Sequence, residues 1–403
     1  MLKAWTLAGD GCDRATAYHM SNKIVRRGEE LYVTWLDAAY RNIVARVDPA
    51  NGAVLGAVAV AQGFDNHCGA AMTLTPDGQL HVVAGSHSGG FVYRSGDAPL
   101  DEGRWSLPES PGACATYPSL VSDREGGLHL AHRYSPREAH WGTMYYRRAA
   151  GGLWQYGRFL ARAPAPLYSY PTNALATGPD GRLHLLVEWY KTYPDNVHPP
   201  HSAAVSLLES PDGQRWFHTD GREVRHFPVG LEDTQPALFR AEGNLRPGNL
   251  VVLPDGRVCF SVWDENRFAV LLVIRQADRT WRVSDLTVAL GERLPGLRCN
   301  GQGQVAPLPS GEVVLVVPFN PDGKWGGEGT QLHAFWLQPE DGSLLRHKEI
   351  SKDDPAEPDW LAAIENPVGG RYSDAPWLLY ISGRRGEGCI NDARCAVKLV
   401  QLR

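Results

Sequence analysis

The 403-residue sequence predicts an all-β fold, a single seven-bladed β-propeller covering residues 1–403. Three observations carry this. A strand–turn–strand unit recurs seven times along the chain at a spacing suited to propeller blades. Thirteen Trp and fifteen Tyr accompany 43 Gly and 29 Pro, the mix of many short strands and tight turns. No stretch rich in Gly, Ser or charge interrupts the series, so nothing marks a second domain.

The clearest unit is DNHCGAAMTLTPDGQLHVVAGSHSGGFVYR, Asp65 to Arg94. Two apolar runs, Gly69–Thr75 and Leu80–Gly85, flank Pro76-Asp77-Gly78. Proline presets φ and glycine supplies a positive φ, so these three residues turn the chain back on itself. The relatives of its return strand are, in order, Gly28–Leu36, Gly126–Tyr134, Asp180–Trp189, Asp255–Trp263, Ser310–Phe319 and Ala375–Gly383. Each reads as the inner hairpin of one blade. A blade cannot bury both faces alone, and stacking against neighbours supplies the core. Outer strands are punctuated by Trp105, Trp154, Trp216 and Trp281. The stretch between Tyr190 and Arg246 reads as a loop excursion of the fourth blade, and Asp359–Asn366 as a short helix.

Charge and cysteine content narrow the function classes. The net charge of -5 argues against a general nucleic-acid binder, which carries a basic face. The seven cysteines are scattered, with no C-x-x-C, so no disulfide framework is expected, and Cys389 and Cys395 are expected to stay unpaired. No apolar run reaches the roughly 18 residues of a membrane span, and no signal-peptide core opens the chain. As written, a cytoplasmic protein is expected; removal of a leader would make it secreted or periplasmic.

In a propeller the open ends of the inner hairpins converge near the axis. His67 precedes the first strand of the second unit and His87 follows its return strand, so two imidazoles should meet there. Tyr117 and Arg133 bracket the third unit in the same way, and Tyr170 and Tyr190 the fourth. Asn22, Lys23, Asn66 and Tyr134 join them as candidate substrate-binding groups. An arginine fits a carboxylate, a tyrosine among cations can take and return a proton, and aromatic faces stack on sugar rings. That set suits proton abstraction beside a carboxylate, as in β-elimination from a uronic acid. His81, His129 and His184 recur inside the return strands and read as architecture.

The motifs Asp65–His67, Pro76–His81, Gly85–Ser88, Thr116–Pro118 and His132–Tyr134 resemble those of the seven-bladed propeller polysaccharide lyases of the BNR-repeat-like group, the ulvan and rhamnose–glucuronate lyases. Ser210–Trp216 resembles the structural Asp box of sialidase-like propellers. The lyase resemblance implies that Tyr117, Arg133, His67 and His87 are catalytic, with Tyr117 as base and acid and the others neutralising the uronate carboxylate. It implies Tyr170 as a substrate-site residue and a uronic-acid-containing poly- or oligosaccharide as partner. It implies no cofactor for the chemistry and, in some relatives, a structural divalent cation, calcium or zinc, whose ligands the sequence does not place. The segment from His87 to Tyr117 is shorter than in the family, so one wall of the cleft is reduced.

Other readings stay in view. A sialidase-like hydrolase would need an arginine triad and a Tyr–Glu pair, and a non-catalytic propeller would bind glycan without product. Asp37 or Asp264 with Glu265 could serve as a hydrolytic acid pair. For zinc, Cys68 adjoins His67, but neighbours on a strand point to opposite faces, so joint ligation is not expected. Asp195, His198 and His201 form a second candidate metal cluster.

Overall fold

A computed structural model describes residues 2–97, 104–137, 139–163, 173–191, 201–234, 238–239, 243–351, 354, 356–368, 370–390 and 393–403. Its strands form seven antiparallel sheets in chain order, the seven blades. One five-residue helix, Thr287–Gly291, is the only α-helix among the described residues. No helix there is long and apolar enough to cross a membrane.

The inner hairpins follow the predicted turns. Ala71–Leu74 pairs with Leu80–Ala84 in the second blade, closed by Gly78 at φ +85° donating to the Thr75 carbonyl at 2.8 Å. The third blade runs Ala115–Ser122, Leu128–Tyr134, Gly142–Arg148 and Arg158–Arg162 from axis to rim. His87–Gly89 leaves the second blade and pairs with the inner strand of the third, tying the two together beside the axis.

The ring closes on itself. The N-terminal strand Ala4–Cys12 pairs with the C-terminal strand Arg394–Gln401 and becomes the outer strand of blade seven. Nothing in the repeat pattern marks this strand, because its partner lies at the other end of the sequence. Between it and blade one, residues 13–21 cross the axial opening. Thr16 donates to the Leu361 carbonyl of blade seven at 2.6 Å, and Ser21 to the Pro118 carbonyl of blade three at 2.5 Å. Tyr18 and Met20 join a buried cluster with Tyr117, Ala174 and Leu250, from blades three, four and five.

Two sequence expectations change. Asp359–Ile364 is the inner strand of blade seven, not a helix. Leu361, at φ +50°, lies in a β-bulge between Trp360 and Ala363. The extra residue puts the buried Trp360, Ala363 and Ile364 at i, i+3, i+4, the spacing of a helix face. The stretch after Tyr190 is not all excursion, since His201–Ser210 and Phe217–His218 are regular outer strands of blade four. The Asp box lies between them. Ser210 Oγ accepts the Gly213 N–H at 2.8 Å, Asp212 accepts Gln214 and Arg215 N–H at 2.8 Å, and Trp216 is fully buried edge-on to Tyr145.

The strand-interior histidines are architectural. His81 bridges Tyr93 Oη at 2.8 Å and Thr75 Oγ1 at 3.0 Å, and His129 bridges Tyr145 Oη at 2.6 Å and Asp123 at 3.0 Å. All seven cysteines, Cys389 and Cys395 included, are unpaired thiols.

Candidate active site

Folding about the Pro76-Asp77-Gly78 turn does bring the two histidines together. The rings of His67 and His87 stack at 4.4 Å between centroids and 14° between planes. Asp65 lies beneath both. Its Oδ2 meets His87 Nδ1 at 2.5 Å and its Oδ1 accepts the His67 backbone N–H at 2.8 Å. Burial would raise the Asp65 carboxyl, but these bonds hold it below the usual carboxylate range. His87 therefore donates through Nδ1 and turns Nε2 away from Asp65.

Tyr117 stands beside them on the third blade, placed by a distortion of its strand. It has φ +59° at a register break between Thr116 and Ser119. Positive φ is strained for a residue with a side chain, and bulges of this kind re-aim side chains next to active sites. The His67–Tyr117 ring distance is 6.3 Å. The Arg133 guanidinium lies over the Tyr117 ring at 4.2 Å and faces Trp141 at 5.1 Å, a cation held between two π-faces. Thr116 pairs with Arg133 across the hairpin, so backbone register fixes this contact.

Three more residues pack into this cluster and were not singled out from the sequence. Arg14 Nη1 reaches Tyr18 Oη and His67 Nε2, both at 2.7 Å. Tyr18 packs against Tyr117 at 4.2 Å. Both come from the segment across the axis, roughly a hundred residues away from Tyr117 in sequence. Arginine only donates, so His67 Nε2 accepts and the neutral ring carries its proton on Nδ1. Burial, then the nearby Arg14 charge, pushes the His67 pKa down to about 3. His67 is thus a neutral ring, accepting from Arg14 through Nε2, rather than a cation. The third residue is Phe64, 62% exposed and stacked over His87 at 6.4 Å and 11°.

The other predicted residues fall elsewhere. Asn22 and Lys23 are buried in the joint between blades one and two, where Asn22 donates to the Met72 carbonyl at 3.1 Å and Lys23 to the Ala70 carbonyl. Burial pushes the Lys23 pKa down to about 7. These two hold blades together instead of facing a ligand. Asn66 donates to Asp13 at 2.9 Å and to the Gly388 carbonyl at 3.2 Å, fixing the segment across the axis. Tyr134 packs edge-on against Phe159, one position along the strand from Arg133 and so on its opposite face. Tyr190 is buried under the Arg246 guanidinium at 5.4 Å, and Arg246 in turn meets Glu265 at 3.3 Å and Glu188 at 3.8 Å. Tyr170, Asp195 and His198 lie outside the described residues.

The carboxylates considered for hydrolysis are engaged. Asp37 accepts the Ala39 and Arg41 backbone N–H groups and the Arg41 side chain at 2.7 Å. Asp264 is fully buried and caps a turn through the Asn266 N–H. A hollow of about 720 Å³ opens on the opposite face, lined by turn residues including Arg26, Pro76, Asp123 and Arg371. None of the Tyr117 or histidine groups reaches it.

The same fold occurs in solved structures. An ulvan lyase of a polysaccharide lyase family, bound to a GlcA–rhamnose 3-sulfate saccharide, is 14% identical, with a TM-score of 0.73 over 98% of this chain and 95% of that one. The polysaccharide lyase Uly1 is 11% identical, with a TM-score of 0.59 over the whole of both chains. The α-L-arabinofuranosidase Arb93A from Fusarium graminearum is 10% identical, with a TM-score of 0.50 over 99% and 98%. The comparison with curated proteins finds no match. The profile of the family described as "BNR repeat-containing family member" matches residues 30–287, more than half of the chain. Blades, turns and profile agree, and the protein belongs to the BNR repeat-containing family.

Proposed function

We propose that the protein is a lyase that cleaves a uronic-acid-containing poly- or oligosaccharide, of ulvan-like or rhamnose–glucuronate type, by β-elimination. The observation that carries this is Tyr117, strained out of its strand and held between Tyr18 and the Arg133 guanidinium, next to the stacked His67 and His87. The fold shared with ulvan lyases supports it.

Substrate binding places the uronate carboxylate on the cationic side of this cluster, with Arg133 and Arg14 as its countercharges. Charge neutralisation makes the C5 proton removable. Tyr117, as phenolate, takes that proton; the C5 electron pair forms the C4–C5 double bond and the C4–O bond breaks. Tyr117 then returns the proton to the departing oxygen. No water is consumed. His67 and His87 flank the uronate, and Asp65 keeps His87 oriented. Asn66 acts as a positioning residue through Asp13.

Tyr117→Phe and Arg133→Lys test the reading. General acid–base groups contribute roughly 10²–10⁴-fold, so Tyr117→Phe should lower kcat by that much with a near-native melting temperature. Lysine cannot reproduce the flat stack on Tyr117, so Arg133→Lys should raise KM and lower kcat together. Retention of wild-type turnover on a cleaved uronate substrate by both variants would sink the assignment.

A further inference from the structure

Asp65, His67, His87 and Cys389 each present one donor atom within 4.8 Å of the others. They arrive from separate parts of the fold. Asp65 and His67 precede the first strand of blade two, His87 follows its return strand, and Cys389 lies between the last two strands of blade seven. The Asn66 N–H donates to the Cys389 carbonyl at 3.1 Å, which pins the blade-seven loop over the histidines. His67 Nδ1 is buried, has no hydrogen-bond partner, and lies 3.8 Å from Asp65 Oδ1. Cys68, the thiol next to His67 in sequence, is not part of this group, and its burial pushes its pKa up to about 11.

From this juxtaposition we propose that Asp65, His67, His87 and Cys389 form a binding site for a thiophilic divalent ion of the zinc class, and that the ion and the substrate carboxylate exclude each other. One carboxylate, two imidazoles and one thiolate make a four-coordinate zinc set. Bond lengths of about 2.0–2.3 Å put tetrahedral donors roughly 3.3–3.8 Å apart. The set needs to contract by about 1 Å at its widest, the 2.5 Å Asp65–His87 bond must open, and the stacked rings must rotate out of parallel so that both Nδ1 lone pairs meet the ion. Cys389 is exposed, so both the thiol and the ion have access.

Loading has a definite proton balance. Cys389 loses its thiol proton to solvent, and each imidazole moves its proton from Nδ1 to Nε2 to free Nδ1 for the metal. At His67 this turns an acceptor into a donor facing Arg14, so the Arg14–His67 bond has to break. Arg14 keeps Tyr18 as its partner. The loaded site thus loses the Arg14–His67 arrangement and both Nδ1–H groups. The exclusion half of the proposal rests on the lyase reading; the binding half does not.

The test is a cobalt(II) titration of the metal-free protein followed by absorption. Wild type should bind one ion with tetrahedral d–d bands and a near-ultraviolet thiolate-to-cobalt charge-transfer band. Cys389→Ser should lose the charge-transfer band and bind at least tenfold more weakly. Arg14→Met removes the competing donor and should bind more tightly; its melting temperature shows whether it folds. In a second arm, zinc should inhibit cleavage of a uronate glycan competitively in wild type and far less in Cys389→Ser, whose metal-free activity is unchanged. Absence of a charge-transfer band in wild type, or the same spectrum in Cys389→Ser, overturns the site. A correct spectrum with no effect of zinc on turnover overturns the exclusion alone. A correct spectrum with no turnover of any glycan leaves the site standing and counts against the lyase reading.

Discussion

Acid should destabilise this protein well before its carboxylates titrate. Burial lowers the pKa of six histidines, His19, His67, His184 and His333 to about 3 and His81 and His132 to about 4. In the unfolded chain each returns to about 6.5. A group whose folded pKa is depressed in this way stays neutral in the native state and takes up a proton only on unfolding. The native state is therefore favoured above pH 6.5 and loses ground as pH falls below it. Between pH 7.5 and 5.5 each such histidine shifts the balance toward unfolding by about 1.4 kcal/mol, and the six together by about 8 kcal/mol. Asp359 opposes them: burial raises it to about 6, and the proton it binds in the native state returns about 0.8 kcal/mol over the same interval. The net, about 7 kcal/mol, is comparable to the total stability of many domains, and residual structure in the unfolded chain makes it an upper value. Urea denaturation at pH 7.5, 6.5 and 5.5 measures it. His132→Phe provides a single-site check. His132 is fully buried, donates to the Arg133 carbonyl at 2.8 Å, and has no partner for Nε2. The variant should start less stable at pH 7.5 and lose about 1.4 kcal/mol less on acidification. A stability that is flat from pH 7.5 to 5.5 would refute the reasoning.

Two further outcomes follow from the geometry. Phe64→Ala should raise KM by roughly 2- to 12-fold with kcat nearly unchanged, because an exposed ring over His87 offers about 0.5–1.5 kcal/mol of stacking and no proton; steady-state kinetics on a uronate oligosaccharide would show it, and a kcat effect larger than the KM effect would contradict it. Trp216→Ala in the Asp box should cost about 3–5 kcal/mol of stability, since a fully buried indole packed on Tyr145 leaves a cavity; thermal unfolding measures this, and KM measured well below the transition should not move.

The blades were legible because each carries its own local turn chemistry and strand pattern, repeated in order. The Asp65–Arg94 hairpin shows how far that reaches: a Pro-Asp-Gly turn fixes which residues lie at the open end, and so which imidazoles meet. Tyr117 and Arg133 followed from the same logic one blade on. Position at an open end does not say which way a side chain points. Lys23 and Asn22 occupy such positions and turn into the joint between blades. The segment 13–21 was invisible for a different reason. It has no strand periodicity, and Arg14 and Tyr18 reach the site only because ring closure carries the N-terminal strand into blade seven. Cys389 likewise comes to His67 through the meeting of the first and last blades, a contact no local pattern encodes. The bulge at Leu361 hid a strand behind helical spacing.

The central claim is elimination without water. The measurement that meets it most directly is mass spectrometry of the products from a panel of uronic-acid glycans, including ulvan and rhamnose–glucuronate glycans, digested in heavy-oxygen water. The account predicts fragments whose masses sum to that of the substrate, one of them carrying a near-ultraviolet-absorbing C4–C5 double bond and neither carrying solvent oxygen at the cleaved linkage. Saturated fragments with solvent oxygen at that linkage would show hydrolysis, and glycans that bind yet stay intact throughout would show a binding propeller; either result contradicts it.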